Sequence, residues 1–301
     1  MDELPALFYS ELFAHLSVNA TETIKKVNST ILQSHAAHYS QECQRLALLI
    51  KPVNQASCEY VFREFEMSRG SGWILFSLEQ IASLKARGLF RLQEILLTPH
   101  ELNNGAVQSG EITYENLEKL LFATILPYDI QFSSKVQENH QDAFLKMLDL
   151  FDAQNLTFWR LYLNYCATTA ASEEKLWKFI DSSVSHKLDT IFLVGAWPES
   201  SFPYLMRYSI SQVSTICITG AQLPMKIEFL KNIVRDVLRI GKRQFLLEGN
   251  YSGTSAELTG AFIKLSKDTW ASECSNSGMF FDIINNQINI KLILRENNDF
   301  E

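Results

Sequence analysis

The six histidines and five cysteines are the residues of this 301-residue sequence best suited to metal or nucleophile chemistry, and their spacing supports neither. His35 and His38 stand three apart on one predicted helix, so two imidazoles share a face. No cysteine or carboxylate pair accompanies them, and His15, His100, His140 and His186 fall on other predicted elements. Cys43, Cys58, Cys166, Cys217 and Cys274 are odd in number and widely spaced without a C-x-x-C, which argues against a disulfide framework and a zinc cluster. Gly249-Asn-Tyr-Ser-Gly253 carries its serine one position late for a nucleophile elbow. Neither G-x-x-x-x-G-K-[S/T] nor G-x-G-x-x-G occurs, so phosphate and dinucleotide cradles lack support. The expectation is a chain with no catalytic residues, no metal and no cofactor, which acts by binding.

Composition narrows the partners. Lys+Arg number 27 against 34 Asp+Glu, a formal charge of −7, whereas a nucleic-acid partner needs a basic face. No apolar run approaches the ~18–20 residues of a membrane span. The sequence opens Met-Asp-Glu, acidic where a secretory leader would be basic, and the expected location is cytoplasmic or nuclear. The sequons at Asn19, Asn28, Asn155 and Asn250 are then coincidental. Hydrophobic residues make up 47% of the chain and Phe alone 20 positions, enough for a large core.

The elements that would carry a binding surface repeat. Leu161–Cys166, Ile191–Ala196, Ile216–Ala221 and Phe245–Asn250 each read apolar-x-apolar-x-x followed by Cys, Ala or Asn. Weaker copies start at Ile95 and Ile130, and Ile290–Leu294 reads as a last strand. Helical patterns lie between them: Leu176, Phe179, Ile180 and Val184 after Ser172-Glu173-Glu174, then Phe229 through Leu238 up to Gly241, then Leu258, Phe262 and Leu265. Strand, loop and helix in units of 25 to 30 residues predict a curved β/α solenoid, with an ordinary parallel α/β sheet as the alternative. Trp159, Tyr162, Tyr165, Trp197, Phe202 and Tyr251 fall on or just beyond the repeated runs. Aromatic anchors at such positions suit protein recognition, and these six are the candidate target-binding residues. An enzyme on a parallel sheet would instead place its site near residues 166–169, 195–201 or 249–255, at the strand ends.

The repeat resembles the leucine-rich repeat, L-x-L-x-x-[N/C]-x-L, with Cys166 and Asn250 at the amide or thiol position and Ala196 and Ala221 matching its size alone. Ahead of it, residues 1–50 read as two or three short helices: Leu12, Phe13 and Leu16 form one stripe, Ile24, Val27 and Ile31 a second, and Cys43, Leu46, Ala47 and Ile50 a third before Pro52. Leu4-Pro5, Leu12-Phe13, Leu16-Ser17, Ile24 and Val27 fall without a gap on the pattern L-P-x(6)-[IL]-F-x-x-L-S-x(6)-[LI]-x-x-V. This segment resembles an F-box, the helical module that docks substrate receptors on the adaptor of SCF-type cullin-RING ubiquitin ligases. Ala20, Thr21, Ser29 and Ile31 depart from the usual acidic residue, Leu, Arg and Trp. The two parts together are similar to nematode F-box-related proteins.

The resemblance implies an α/β chain with an F-box-like helical segment at 1–50, a helical or irregular connection at 51–90, and an irregular leucine-rich-repeat-like solenoid over 91–301. It implies adaptor docking through Leu4, Pro5, Leu12, Phe13, Leu16 and Val27, with the adaptor, the cullin and an unknown target protein as partners, and no nucleic acid or membrane. The second expectation is an interaction scaffold whose F-box has degenerated into a cap, with Leu12 and Phe13 buried against the body.

Overall fold

The run Leu46-Ala-Leu-Leu-Ile50 carries no polar interruption, and a strand hydrogen-bonded along both edges suits it better than a helix. In a computed structural model it forms β1 (Gln44–Pro52), antiparallel to β2 (Ser57–Glu64) and parallel to β4 (Phe90–Leu97). The third N-terminal helix expected on Cys43, Leu46, Ala47 and Ile50 is therefore a strand: its i, i+3, i+4, i+7 spacing is a coincidence within a continuous apolar run. The structure describes residues 12–13, 23–24, 26, 30–65, 75–87, 89–100, 102, 110–124, 130–136, 138–186, 188–219, 223, 225–240, 246–264, 269–271, 278–284 and 289–295.

The chain divides into two compact units, Met1–Leu156 and Thr157–Glu301, rather than at residues 50 and 90. In the first, helix α1 (Thr30–Glu42) precedes β1. The stretch expected to be a helical or irregular connection contains β2, the short β3 (Leu75–Phe76) and α2 (Leu78–Ala86). Ser77 starts α2 with a capping box: its hydroxyl accepts from the Gln80 N–H, and the Gln80 side chain accepts from the Ser77 N–H. After β4 come β5 (Gly110–Thr113), α3 (Tyr114–Thr124), β6 (Gln131–Ser134) and α4 (Gln141–Ala153).

The sheet of this unit runs β2, β1, β4, β6, with β1, β4 and β6 parallel. β5 pairs Ser57–Tyr60 and β3 pairs Phe62–Arg63 on the other side of β2. Phe62, Leu48, Ile95 and Phe132 lie in register across four strands, and α4 packs against the Phe132 end of that row. The Phe132 ring stands 6.2 Å from Phe144 and 4.8 Å from Phe151, and all three are buried. Each such side chain contributes on the order of 1.5–3 kcal/mol by leaving water.

The second unit begins with β7 (Arg160–Asn164), β8 (Thr190–Val194), β9 (Thr215–Thr219) and β10 (Leu246–Asn250), adjacent in chain order and parallel. Between them lie α5 (Ala170–His186), α6 (Phe202–Ser209) and α7 (Ile227–Arg239). Helix α8 (Ser255–Ala261) follows, and then β11 (Ile263–Lys264), β12 (Thr269–Ala271), β13 (Gly278–Ile284) and β14 (Asn289–Arg295) return antiparallel, with β14 against β10. The repeated runs are thus strands of a mixed sheet, and the chain is α/β.

Helix α5 starts two residues before the expected Ser172-Glu173-Glu174. Thr169 and Ser172 cap it reciprocally: Ser172 N–H donates to Thr169 Oγ1 and Thr169 N–H to Ser172 Oγ, at 3.2 and 3.0 Å. Leu161, Leu163, Ile191, Leu193, Ile216 and Ile218 alternate into the core with Leu176, Ile180, Leu205, Leu230 and Ile233, all at most 2% exposed. Helix α8 ends at Ala261, where β11 soon begins, and Leu265 and Gly241 lie outside the described residues. Among the described residues no helix is long and apolar enough to cross a membrane.

Candidate functional site

On β7 and β8, residues that alternate away from the buried positions form the other face of the sheet. Tyr162 and Phe192 occupy one register row with Cys217. Their rings stack 5.1 Å apart at 27°, and both are half-buried where Leu161 and Leu163 are enclosed. Beside them the exposed Arg160 guanidinium lies 3.9 Å from the centroid of the half-buried Trp159 ring, a cation–π pair that holds a flat aromatic surface in place. A rigid aromatic pair with a neighbouring cation loses little conformational freedom on contact with a partner, and that is the property recognition surfaces need.

The remaining expected target-binding residues separate from this pair. Trp197 is 1% exposed, wedged 5.1 Å from Tyr165 and 5.3 Å from Trp177, and its indole N–H donates to Val194 O. Tyr251 is 5% exposed, its hydroxyl 3.4 Å from Glu257 Oε2. Both rings are core and cannot meet a target. Phe202 is half-buried against Phe229 at 4.5 Å. Tyr165 is half-buried, and its hydroxyl donates to Glu173 Oε2. That carboxylate also accepts from Trp177 Nε1 and Ser200 Oγ at 3.3 and 2.7 Å, so it joins α5 to the loop after β8. Ser252, in the near-elbow sequence, donates its N–H to Met225 O, and among the described residues no histidine bonds to it.

Of the small residues expected to turn inward after each strand, two have described side chains, and one of them does so. Cys166 is fully buried, whereas Ala196 is exposed. Gly195 at φ +87° redirects the chain, and Trp197 fills the interior instead. The side chains of Ala221 and Asn250 lie outside the described residues.

At the N-terminus, Leu4, Pro5, Leu16 and Val27 lie outside the described residues. Leu12 is 36% exposed, but Phe13 is completely buried with Ala36, Tyr39 and Leu89. Phe13 as placed offers no side-chain surface to a partner. His35 and His38 sit on α1, and among the described residues no group of three or more His, Cys, Asp or Glu is placed to hold a metal.

One polar constellation escaped the sequence reading. Glu94 sits in register with Ala47 and Gln131, and Arg63 pairs with Ala47 from the other side. Glu94 Oε1 accepts from Ser133 Oγ at 2.7 Å and Gln131 Nε2 at 3.2 Å, and its Oε2 lies 3.9 Å from Arg63 Nη2. Burial lowers the Arg63 pKa against the raising effect of Glu94. A β-bulge placed Glu94 there: Leu46 faces Leu92, but Ala47 faces Glu94, so one residue of β4 is skipped and the alternation changes phase. The signal was Glu94 itself, a carboxylate directly ahead of the apolar Ile95-Leu-Leu97.

Comparison with known proteins adds little. No protein-family model and no curated protein matches the chain. Among solved structures, a chitinase from Chromobacterium violaceum is similar over 90% of this chain and 84% of that one, at 8% identity and a TM-score of 0.20, a likeness too slight to carry any argument.

Proposed function

We propose that the chain is a non-enzymatic recognition subunit, and that it serves as a substrate receptor of an SCF-type cullin-RING ubiquitin ligase. The stacked, half-buried Tyr162–Phe192 pair, flanked by Trp159 and Arg160, carries the recognition half of this reading. The N-terminal L-P…F…L-S pattern with its exposed Leu12 supports the adaptor half. In this arrangement the chain catalyses nothing. It tethers a target beside the ubiquitin-charged enzyme and so raises the effective concentration of the target's lysines.

The finer architecture belongs to the same proposal: the second unit is an irregular leucine-rich-repeat-like solenoid. Polar contacts recur between neighbouring repeats at nearly constant separation, which supports it. Ser200 donates to Glu173 and Lys226 to Glu199, each 27 residues apart; Ser252 donates to Met225 O at 27, and Ser214 to Asp189 at 25. Stacked repeats produce such nearest-neighbour ladders.

Affinity purification of the full chain tests the reading. The adaptor and cullin are expected to co-purify and to be lost with Pro5→Ala or Leu12→Ala. Leu12 is the sharper probe because it is exposed where Phe13 is fully buried. Absence of both partners from the wild-type sample would sink the receptor. Complete burial of Phe13 favours a second reading, a scaffold whose F-box-like segment serves as a structural cap, and that outcome would select it.

A further inference from the structure

We propose that the first unit holds Phe13 in an autoinhibitory latch that competes with the ligase adaptor, an inference that rests on the receptor reading above. That reading asks Phe13 to meet a partner, yet its ring is 0% exposed. Ala36 and Tyr39 of α1 and Leu89, just before β4, enclose it, and Ile24, Leu32, Cys43 and Leu84 surround that cluster. The Phe13 and Tyr39 rings stand 5.7 Å apart at 41°. The backbone is held as well. Arg91 Nη2, on a side chain 78 residues away in sequence, donates to the Phe13 carbonyl at 2.9 Å. Arg91 is 7% exposed, so this is a charge-assisted hydrogen bond within the interior. Leu12, the next residue back, is 36% exposed.

One neighbour is thus presented while the other is stored. An adaptor that needs both must first extract Phe13 from Leu89 and Arg91, and its apparent affinity falls by the fraction of chains in which Phe13 is free. Weakening the storage site without touching the docking residues should tighten binding. Removing a buried charge-assisted hydrogen bond is expected to strengthen adaptor binding by about tenfold.

The test uses full-length chain and purified adaptor, with Arg91→Gln and, independently, Leu89→Ala. The dissociation constant is titrated, and hydrogen exchange at the Leu12 and Phe13 amides reports release directly. Both variants are expected to exchange faster there and to bind more tightly than wild type. Faster exchange with unchanged affinity for an adaptor that wild type already binds would overturn the latch and leave the receptor standing. Faster exchange with no adaptor bound by any form would overturn both. Slow exchange in both variants would overturn the latch whatever the affinity, because Arg91 and Leu89 would then not be what holds Phe13.

Discussion

Gly195 lies at φ +87°, and a Cβ built there meets nothing within 4 Å. Any cost of a side chain at this position is therefore backbone strain alone, about 1–2 kcal/mol for an L-residue in the left-handed region. Gly195→Ala is expected to lose that amount, and Gly195→Asn less, since asparagine tolerates the conformation better. Urea unfolding followed by tryptophan fluorescence measures both, because Trp197 sits two residues on in the core. Buried acids make a second prediction. Burial first, and the neighbouring Glu111 second, push the Cys58 thiol up to about 12, and burial with the nearby Cys58 pushes the Tyr114 phenol up to about 12. In the unfolded chain these groups release protons from their ordinary values of 9.0 and 10.0. Between those values and 12 the folded state binds more protons, so stability is fully present below pH 9 and declines as pH rises. The urea midpoint is expected to fall from pH 8 to pH 11, and Cys58→Ala to flatten the first part of that fall.

At the scale of elements, helices α5 and α6 are joined at Asp181. Its Oδ1 accepts from the Tyr208 hydroxyl at 2.7 Å and pairs with Arg207, while the Tyr208 side chain is 1% exposed. Burial and this bond hold the Tyr208 phenol far above its ordinary pKa. Asp181→Ala leaves a buried hydroxyl without that acceptor and is expected to cost about 1–3 kcal/mol. Adding Tyr208→Phe removes the stranded group, so the double variant should be more stable than Asp181→Ala alone; a lower midpoint for the double would refute the assignment. Helix α5 and the parallel strands beside it were legible in the sequence, whereas no helical pattern was read over α6. Apolar runs beginning at Ile95, Ile130, Leu161, Ile191, Ile216 and Phe245 each fall within or within a residue of a strand, because their alternation and the intervening 3.6-residue periods are unambiguous. Two features resisted. The β1 run is apolar throughout, so it fits helix and strand templates alike, and pairing with β2 and β4 decided between them. In β4 the bulge resets the alternation, and no local rule places Glu94 opposite Leu92's face without knowing where the extra residue sits. The aromatic residues divide by position: Tyr162 is mid-strand on β7, whereas Trp197 lies three residues past β8, where the turn at Gly195 sends its ring inward.

For the whole molecule, a receptor needs two surfaces that can be removed separately. The proposed adaptor surface includes Leu12 in the first unit, and the proposed target surface is the Tyr162–Phe192 pair in the second. Charge limits what that second surface accepts. The net charge of −7 disfavours phosphate backbones, whose binding draws on cation density, so Trp159, Arg160, Tyr162 and Phe192 are expected to meet protein. Quantitative mass spectrometry of proteins co-purified with wild type, Leu12→Ala and the Tyr162→Ala/Phe192→Ala double variant separates the two roles, with fluorescence unfolding confirming that each variant is folded. Leu12→Ala is expected to lose adaptor and cullin and keep the target; the double variant is expected to keep the ligase subunits and lose the target. A shared loss would mean that one surface serves all partners, as in a plain scaffold. Independent losses would follow from tethering, because the ligase subunits and the target never touch the same side chains and are coupled only through the chain that connects them.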